Sequence, residues 1–204
     1  MVNSFSLIWP VLNHMLLVKF NKQIISDFLV PSFKLKRGQI AIIQFPNGPY
    51  FYPLMMEMVD IFTGKTSKDG VEILSPFKYP EHLWKTKPRY RIFPLTVGGY
   101  LEKNANKESP FATKIYEYSF ISPKTKIETL AGNPRRKLAV YATLSWRNQI
   151  IYDLAGVDPK GGEEIYNTVK TVVHNGGAAI LIDSSEEFKN DCNIFIRPQY
   201  IGTP

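Results

Sequence analysis

Short apolar runs separated by polar turns cover most of the chain, and three of them are apolar throughout their centres. These runs are residues 39–44, 149–153 and Ala178–Asp183. Such runs are typical of strands that are covered on both faces, as in a parallel sheet. The shorter run Ile194–Ile196 predicts a further strand of this kind near the end of the chain.

The first part of the chain is more polar between its extended runs. Residues 15–20, 29–35 and 71–74 have the composition of strands, and polar pairs at Asn21-Lys22 and Asp69-Gly70 predict turns beside two of them. We therefore expect an N-terminal antiparallel β portion.

Three segments carry apolar residues at helical spacing, namely 54–62, 137–145 and 163–174. Gly64 lies where the first of these helices would end, and Gly176-Gly177 lies where the third would end. Glycine is common just after a helix because it adopts the left-handed conformation without strain. The three segments are therefore predicted as helices.

The middle of the chain, residues 76–135, is the least regular part. It is rich in Pro, Lys, Tyr and Asn, and only 95–103 and 110–120 suggest helix. From 136 onward, strand and helix alternate with short connections, which is the order of a βαβ unit. With 204 residues, 44% of them hydrophobic, the chain suits one α/β domain with a mostly parallel sheet flanked by helices.

The chain is basic, with a net charge of +7 and an isoelectric point near 9.3. This favours an acidic partner such as nucleic acid, a membrane surface or an acidic protein, although a solvated basic surface is the simpler interpretation. No recognised nucleic-acid-binding signature accompanies the basic clusters. The densest cluster lies beside aromatic residues, and a second cluster is shorter: Lys85, Lys87, Arg89 and Arg91 near Tyr79, Trp84 and Tyr90; then Arg135, Arg136 and Lys137.

Other classes of site find little support. The single cysteine, Cys192, excludes an internal disulfide, and the three histidines are scattered, so we expect no metal site. The apolar stretch 5–18 is shorter than a spanning helix requires and lacks the features of a signal peptide. We interpret it as a buried strand or hairpin, and we expect a cytoplasmic protein that reaches a membrane only through a partner.

Four segments together resemble the nucleotide-binding domain of ABC ATPases. LKRGQIAIIQFPNGPYFYPL (35–54) is similar to the strand and phosphate loop of that family, and IFPLTVGGYL (92–101) to the stretch before its helical subdomain. LAGNPRRKLAVYATL (130–144) resembles the signature motif and its helix. Residues 150–188 resemble the Walker B strand, D-loop, helix and switch strand, most closely those of the sugar-importer branch.

The resemblance spans most of the chain in the expected order. It implies a P-loop NTPase-like fold: a mostly parallel sheet flanked by helices, an N-terminal antiparallel β portion and a reduced helical subdomain. We expect residues 1–204 to form a single ABC ATPase-like domain, with the reduced helical and signature subdomain at about 98–136.

The phosphate-loop-like segment departs from the family pattern at the residues that would hold phosphate. A working loop needs glycines, a lysine and a hydroxyl side chain, because these supply backbone N–H groups, positive charge and a magnesium ligand. Here Pro46, Asn47 and Gly48 are kept, whereas aromatic residues and a proline replace the others: Phe45, Tyr50, Phe51, Tyr52 and Pro53. We expect a vestigial loop whose aromatic side chains fill space in the core; binding of a small aromatic ligand by residues 50–52 is the alternative.

The other motifs are altered as well. By the resemblance, Asp153 is the Walker B aspartate and could still contact magnesium, but Leu154 stands where the general-base glutamate belongs. Asp158 corresponds to the D-loop and is interpreted as a helix cap or a subunit contact. The switch position falls at Ser184 and is predicted to be a cap and turn. The remaining vestigial positions are the glutamine-loop position near Pro88 and the signature positions Ala131, Gly132 and Asn133.

Taken together, these departures predict a catalytically inactive ABC ATPase-like subunit with no catalytic residues, cofactor or metal. Its expected partners are an active ABC ATPase subunit, a membrane permease, or both, and it could form a homodimer or a heterodimer. The alternative is a free-standing scaffold in a larger assembly that contacts nucleic acid through the basic middle region. An enzyme with an unrelated active site is a third and more distant possibility.

Overall fold

The structure is a computed structural model that describes residues 15–83 and 94–202. Most of the stretch 5–18, which we interpret as a strand or hairpin, lies outside these residues, and so does Pro88. The helices are α1 (Phe51–Phe62), α2 (Val97–Asn104), α3 (Gly132–Leu144) and α4 (Pro159–His174). The strands are β1 (Leu16–Phe20), β2 (Gln23–Ile25), β3 (Phe28–Val30), β4 (Phe33–Lys36), β5 (Ile40–Gln44), β6 (Val71–Ile73), β7 (Gln149–Tyr152), β8 (Ala178–Asp183), β9 (Ile194–Ile196) and β10 (Gln199–Tyr200).

A four-stranded parallel sheet in the order β7-β8-β5-β9 forms the centre of the domain. Its strands are the apolar runs predicted from the sequence. A further extended segment borders β7, because Lys78 forms a parallel bridge with Ile150 through two backbone hydrogen bonds of 3.0 Å. This segment belongs to the stretch that the sequence suggested was irregular.

Two small antiparallel sheets, β4-β1-β6 and β10-β3-β2, confirm the predicted antiparallel portion. The prediction of one extended run over 29–35 was wrong in detail. Pro31 and Ser32 divide it into β3 and β4, which join different sheets. Proline has no N–H to donate to a sheet, so it is a natural point of division.

Each face of the parallel sheet has its own apolar core. On β5, Ala41 and Ile43 belong to a cluster with α1 and the antiparallel strands. Ile40 and Ile42 belong to a second cluster with α2, α3 and α4. Successive side chains of a strand point to opposite faces, so an apolar run on a doubly covered strand supplies both cores.

Three helices begin earlier than the sequence suggested. The predicted starts were 54, 137 and 163, but α1, α3 and α4 begin at Phe51, Gly132 and Pro159. Each has a proline in its first turn, and this proline precedes the start that the sequence predicted. The first N–H groups of a helix have no partner within it, so a proline there removes no hydrogen bond.

The helix predicted over 110–120 was also wrong. Two 3₁₀ turns, Pro110–Ala112 and Lys114–Glu117, occupy the segment. It is rich in aromatic and β-branched residues, which are poor helix formers. The reduced helical subdomain expected at 98–136 therefore contains α2, three 3₁₀ turns and the first turn of α3.

Candidate functional site

Asp153 follows β7 and is the most enclosed carboxylate of the described residues, with 1% of its surface exposed. Its Oδ2 atom accepts hydrogen bonds from the hydroxyl of Tyr79 at 2.8 Å and from the guanidinium of Arg136 at 3.0 Å. Its Oδ1 atom accepts the N–H of Ala155 at 2.9 Å, and Nε2 of His82 lies 2.9 and 3.1 Å from the two oxygens. Both oxygens are thus already hydrogen-bonded by the protein.

Arg136 enters the site from α3 and is itself 3% exposed. Besides the carboxylate, its Nε and Nη2 atoms donate to the main-chain carbonyl of Asp153 at 3.2 and 3.1 Å, and Nη1 donates to the carbonyl of Pro80. The guanidinium also lies over the ring of Tyr79, 5.7 Å from its centre. One side chain therefore joins α3 to both β7 and the segment that borders it.

The surroundings of Asp153 keep it ionised. Burial by itself would raise the pKa of its carboxyl, but the charge of Arg136 and the bonds from His82 and Tyr79 outweigh burial and lower the pKa to about 2. Burial and the negative charge of Asp153 raise the pKa of Tyr79 well above its usual range. At neutral pH the pair is therefore a carboxylate and a neutral phenol that donates to it.

The sequence analysis left open a contact between Asp153 and magnesium. In the structure, a cation could reach the carboxylate only by displacing a donor, because each oxygen has at least two close neighbours. A buried carboxylate without a partner is costly, and here the guanidinium of Arg136 already supplies the compensating charge. The arrangement is that of a structural ion pair.

The phosphate-loop-like segment connects β5 to α1 with a closed turn. Phe45 is fully buried, and its ring packs edge-on against Phe28 with the centres 5.6 Å apart. Gly48 has φ +152°, and its carbonyl accepts the N–H of Phe51 at 3.1 Å. That N–H group therefore closes the turn.

The expectation that the aromatic residues 50–52 fill the core was wrong for two of them. Tyr50 is 60% exposed and Tyr52 is 51% exposed, while Phe51 is half-buried. The buried face of α1 begins at Leu54 and Met55, and the two tyrosines precede it on the solvent side. Phe45, which directly follows β5, is the fully buried aromatic side chain of this segment, and Phe51 packs against the same core.

The signature-like residues lie against the D-loop-like segment of the same chain. A Cβ atom on Gly132 would overlap the carbonyl oxygen of Gly156, so the two backbones are in close contact. The side chain of Asn133 accepts the N–H of Asp158 at 3.0 Å, and Asp158 in turn caps α4 through the N–H of Gly161 at 2.8 Å. Asp158 is thus an N-cap, one of the two roles the sequence suggested.

Ser184 lies in the turn after β8, as its surroundings in the sequence predicted. The carboxylate of Asp183 accepts the N–H groups of Ser184 and Ser185 at 2.7 and 3.3 Å. The carbonyl of Ser184 accepts the side-chain amide of Gln44 at 3.2 Å. Leu154, where the resemblance places the general base of the family, is half-buried and packs against the second core.

A cleft of about 790 Å³ opens beside the Asp153 site, between the segment at 78–83, α2 and the end of α3. Tyr79 and His82, which both bond Asp153, are among its lining residues. No group of three or more potential metal-ligating His, Cys, Asp or Glu side chains occurs within 15–83 and 94–202. In the same ranges, no helix is long and apolar enough to cross a membrane.

Solved structures of ABC transporter proteins superpose on this chain. A putative ABC transporter ATP-binding protein from Pyrococcus furiosus superposes with a TM-score of 0.64 at 16% identity, over 89% of this chain and 96% of the other. A putative metal-chelate type ABC transporter in an inward-facing conformation superposes with a TM-score of 0.69 at 12% identity, over 92% of this chain and 81% of the other. The chain has the fold of an ABC ATPase domain. Neither a family model nor a curated protein sequence matches it.

The ABC ATPase fold also occurs in a neighbour whose printed name is not that of a transporter. RNase-L Inhibitor superposes with a TM-score of 0.62 at 16% identity, and this chain spans 39% of its length. At such identities the likeness shows the fold alone.

Sequence reasoning found Asp153 but not the three side chains that enclose it. Arg136 was visible only as one of three consecutive basic residues, and Tyr79 and His82 lie in the irregular middle. One signal was available: Arg136 lies directly before the predicted helix 137–145 and Lys137 is its first residue, and both positions are buried in the structure. A buried arginine requires a partner, although the sequence does not say which one.

Proposed function

We propose that this chain is a non-hydrolysing ABC ATPase-like subunit that acts by binding other proteins. The observation that carries this proposal is the enclosure of Asp153 by Arg136, Tyr79 and His82. In ATP hydrolysis of this kind, the equivalent carboxylate must be free to hold magnesium, and the next residue must polarise water. Here the carboxylate is engaged in an ion pair, and the next residue is Leu154.

The phosphate loop supports the same proposal. Its lysine position holds Phe51, whose N–H closes a turn on Gly48. Its hydroxyl positions hold Tyr52 and Pro53. A nucleotide would find neither the cation nor the converging N–H groups that bind phosphates at such loops.

The partner we propose is a catalytically competent ABC ATPase, a membrane permease, or both, so the chain would lie at the cytoplasmic face of a membrane through that partner. The likeness of residues 150–188 to the sugar-importer branch makes the ATPase and permease of a sugar importer the first candidates. The domain can act in this way because its framework is intact: the parallel sheet, α1, α3 and α4 are all present.

Thermal unfolding with and without excess MgATP tests the loss of nucleotide binding. A ligand at 100 times its Kd stabilises the native state by about 2.7 kcal/mol, or roughly 5–10 °C for a domain of this size. We expect a shift of less than about 1 °C and no phosphate release. ATP with EDTA is the control, because a protein of charge +7 can attract the free anion without a magnesium site.

A magnesium-dependent shift of several degrees would refute the proposal that the chain does not bind nucleotide. The proposal that the chain binds an ABC ATPase or a permease is tested separately, by affinity purification of the tagged chain from its native cells. We expect an ABC ATPase with complete motifs or a permease to co-purify. Recovery of neither would contradict the proposed role.

A further inference from the structure

The antiparallel sheet β4-β1-β6 packs one of its faces against the core that contains α1. Val18 of β1 and its cross-strand partner Leu35 of β4 are fully buried in that core. Successive side chains of a strand alternate between the two faces, so the next pair, Lys19 and Lys34, lies on the opposite face. The side chain of Lys19 is 38% exposed, and Lys34 is exposed as well. We call this side of the sheet the outer face.

The outer face carries lysines on two neighbouring strands. Lys34 stands directly opposite Lys19, and Lys36 is the next residue of β4 on the same face. Arg37 directly follows Lys36. In the part of the chain that the structure describes, Lys34, Lys36 and Arg37 form no ion pair. Like charges that face each other across strands repel, so negative charge outside the protein would stabilise this arrangement.

A carboxylate on the third strand offsets only part of this charge. Glu72 of β6 stands opposite Lys19, and its Oε1 atom is 2.6 Å from Nζ of that lysine. Both side chains are more than a third exposed. An ion pair this exposed contributes little to stability, so the lysine can exchange its partner for another anion at small cost. The outer face therefore keeps an excess of positive charge.

Apolar side chains lie at one end of the outer face. Leu74 continues β6, because its N–H group donates to the carbonyl of Leu17 at 2.9 Å. It comes two residues after Glu72 and so lies on the same face, where it is 59% exposed. Met15, directly before β1, is 44% exposed. Lysines beside exposed aliphatic side chains are typical of surfaces that lie in a membrane interface, where the two kinds of side chain meet headgroups and acyl chains respectively.

We propose that the outer face of β4-β1-β6 binds directly to a membrane surface that contains anionic phospholipids. Lys34 and Lys36 would lie among the headgroup phosphates, and Leu74 would enter the boundary with the acyl chains. The side chains of this face are aliphatic or charged, whereas proteins that bind single-stranded nucleic acid offer aromatic rings on which bases stack. The contact goes beyond the proposed function, because it adds direct lipid binding to attachment through a partner.

The test is flotation of the purified chain with phosphatidylcholine vesicles that contain or lack phosphatidylglycerol. Two variants alter the outer face: Lys34→Gln/Lys36→Gln removes the charges, and Lys34→Glu/Lys36→Glu reverses them. Lys124→Glu/Lys126→Glu is the matched control, because it changes the net charge by the same amount as the reversal. Both control positions are exposed and precede Ile127, which belongs to the second core. Thermal midpoints are compared first to confirm that every variant is folded.

The expected effects follow from the charge of the outer face. Each lysine near an anionic leaflet strengthens binding about fivefold, so Lys34→Gln/Lys36→Gln should weaken it about 25-fold and the reversal more. The control should weaken binding less than about threefold, since its charges lie away from the contact. Leu74→Ser should weaken binding several-fold. Glu72→Gln should strengthen it about fivefold, because this variant removes a negative charge from the face and frees Lys19.

The proposal is overturned if the chain binds vesicles without phosphatidylglycerol equally well, or binds neither kind. It is also overturned if the control variant weakens binding as much as the outer-face variants do. Tighter binding of an oligouridylate or of polyglutamate through the same lysines would replace the membrane by nucleic acid or by an acidic protein.

The membrane contact and the proposed function can fail separately. Vesicle binding by a chain that MgATP stabilises would retain the membrane contact and refute the non-hydrolysing subunit. Absence of vesicle binding by a chain that MgATP does not stabilise would refute the membrane contact alone.

Discussion

Replacing Arg136 by methionine is the most direct perturbation of the enclosed carboxylate. Methionine keeps much of the aliphatic length of arginine but removes the charge and every N–H donor. The carboxylate of Asp153 is 1% exposed in the unaltered chain, and Tyr79 and His82 would be its remaining side-chain neighbours in the variant. The carbonyls of Pro80 and Asp153 would lose their donors as well.

The loss of stability in this variant follows from the carboxylate charge of Asp153 that stays buried. Removing one member of a buried ion pair costs about 3–5 kcal/mol, since the other charge stays buried without compensation. The free energy of unfolding of a domain of this kind is about 5–15 kcal/mol in total. Arg136→Met should therefore fold but lose a large share of its stability.

Urea unfolding at pH 7, followed by tryptophan fluorescence, measures this loss. With a slope of about 2–3 kcal/mol/M, the midpoint should fall by roughly 1–2 M while the slope stays the same. Arg135→Met is the matched control on the same helix. The guanidinium of Arg135 donates to the carbonyls of Glu128 and Leu130, and loss of these bonds should cost about 1–2 kcal/mol.

A double variant distinguishes an uncompensated charge from lost packing. Arg136→Met/Asp153→Leu removes both charges, and it should be more stable than Arg136→Met alone because no carboxylate remains buried. The reasoning is refuted if Arg136→Met loses less than about 1 kcal/mol, or if the second substitution merely adds its own cost to the first.

Three further predictions concern acid stability and packing. The folded pKa of Asp153 lies below its ordinary value. The stability that its charge contributes is therefore complete above about pH 4 and is lost as the pH falls towards 2. Asp153→Asn should abolish this dependence when unfolding stability is measured across the acid range. In calorimetry, Gly132→Ala should be destabilised by about 1–3 kcal/mol, because its Cβ atom would overlap the carbonyl oxygen of Gly156. Gly162→Ala is the control: its Cβ atom would lie 3.6 Å from the nearest atom, on Leu154, so this variant should be neutral or slightly stabilised. The buried hydroxyl of Tyr152 has no hydrogen-bond partner among the described residues, so Tyr152→Phe should be neutral or stabilising in urea unfolding. Tyr166→Phe should lose about 1 kcal/mol of stability, because the hydroxyl of Tyr166 donates to the carbonyl of Asp191.

Prolines and aromatic residues mark where sequence patterns were insufficient. Pro53, Pro134 and Pro159 precede the predicted helix starts at 54, 137 and 163, yet each lies in the first turn of a helix. The apolar periodicity does not distinguish a proline just before a helix from one inside its first turn, because in neither position does the helix need an N–H group for an internal hydrogen bond. Similarly, Tyr50 and Tyr52 are apolar enough to suggest core, and only the orientation of α1 places them at the surface.

The sequence by itself determined the parallel strands, the approximate helices and the position of Asp153 at the end of a buried strand, because these depend on local periodicity and on residues close together in the chain. Tertiary structure alone decided what surrounds that carboxylate. Tyr79 and His82 lie more than 70 residues from Asp153 in the sequence, and Arg136 lies 17 residues away on a helix. Hydrogen bonds between such distant residues have no periodicity in the sequence, so they become visible only when packing brings the elements together.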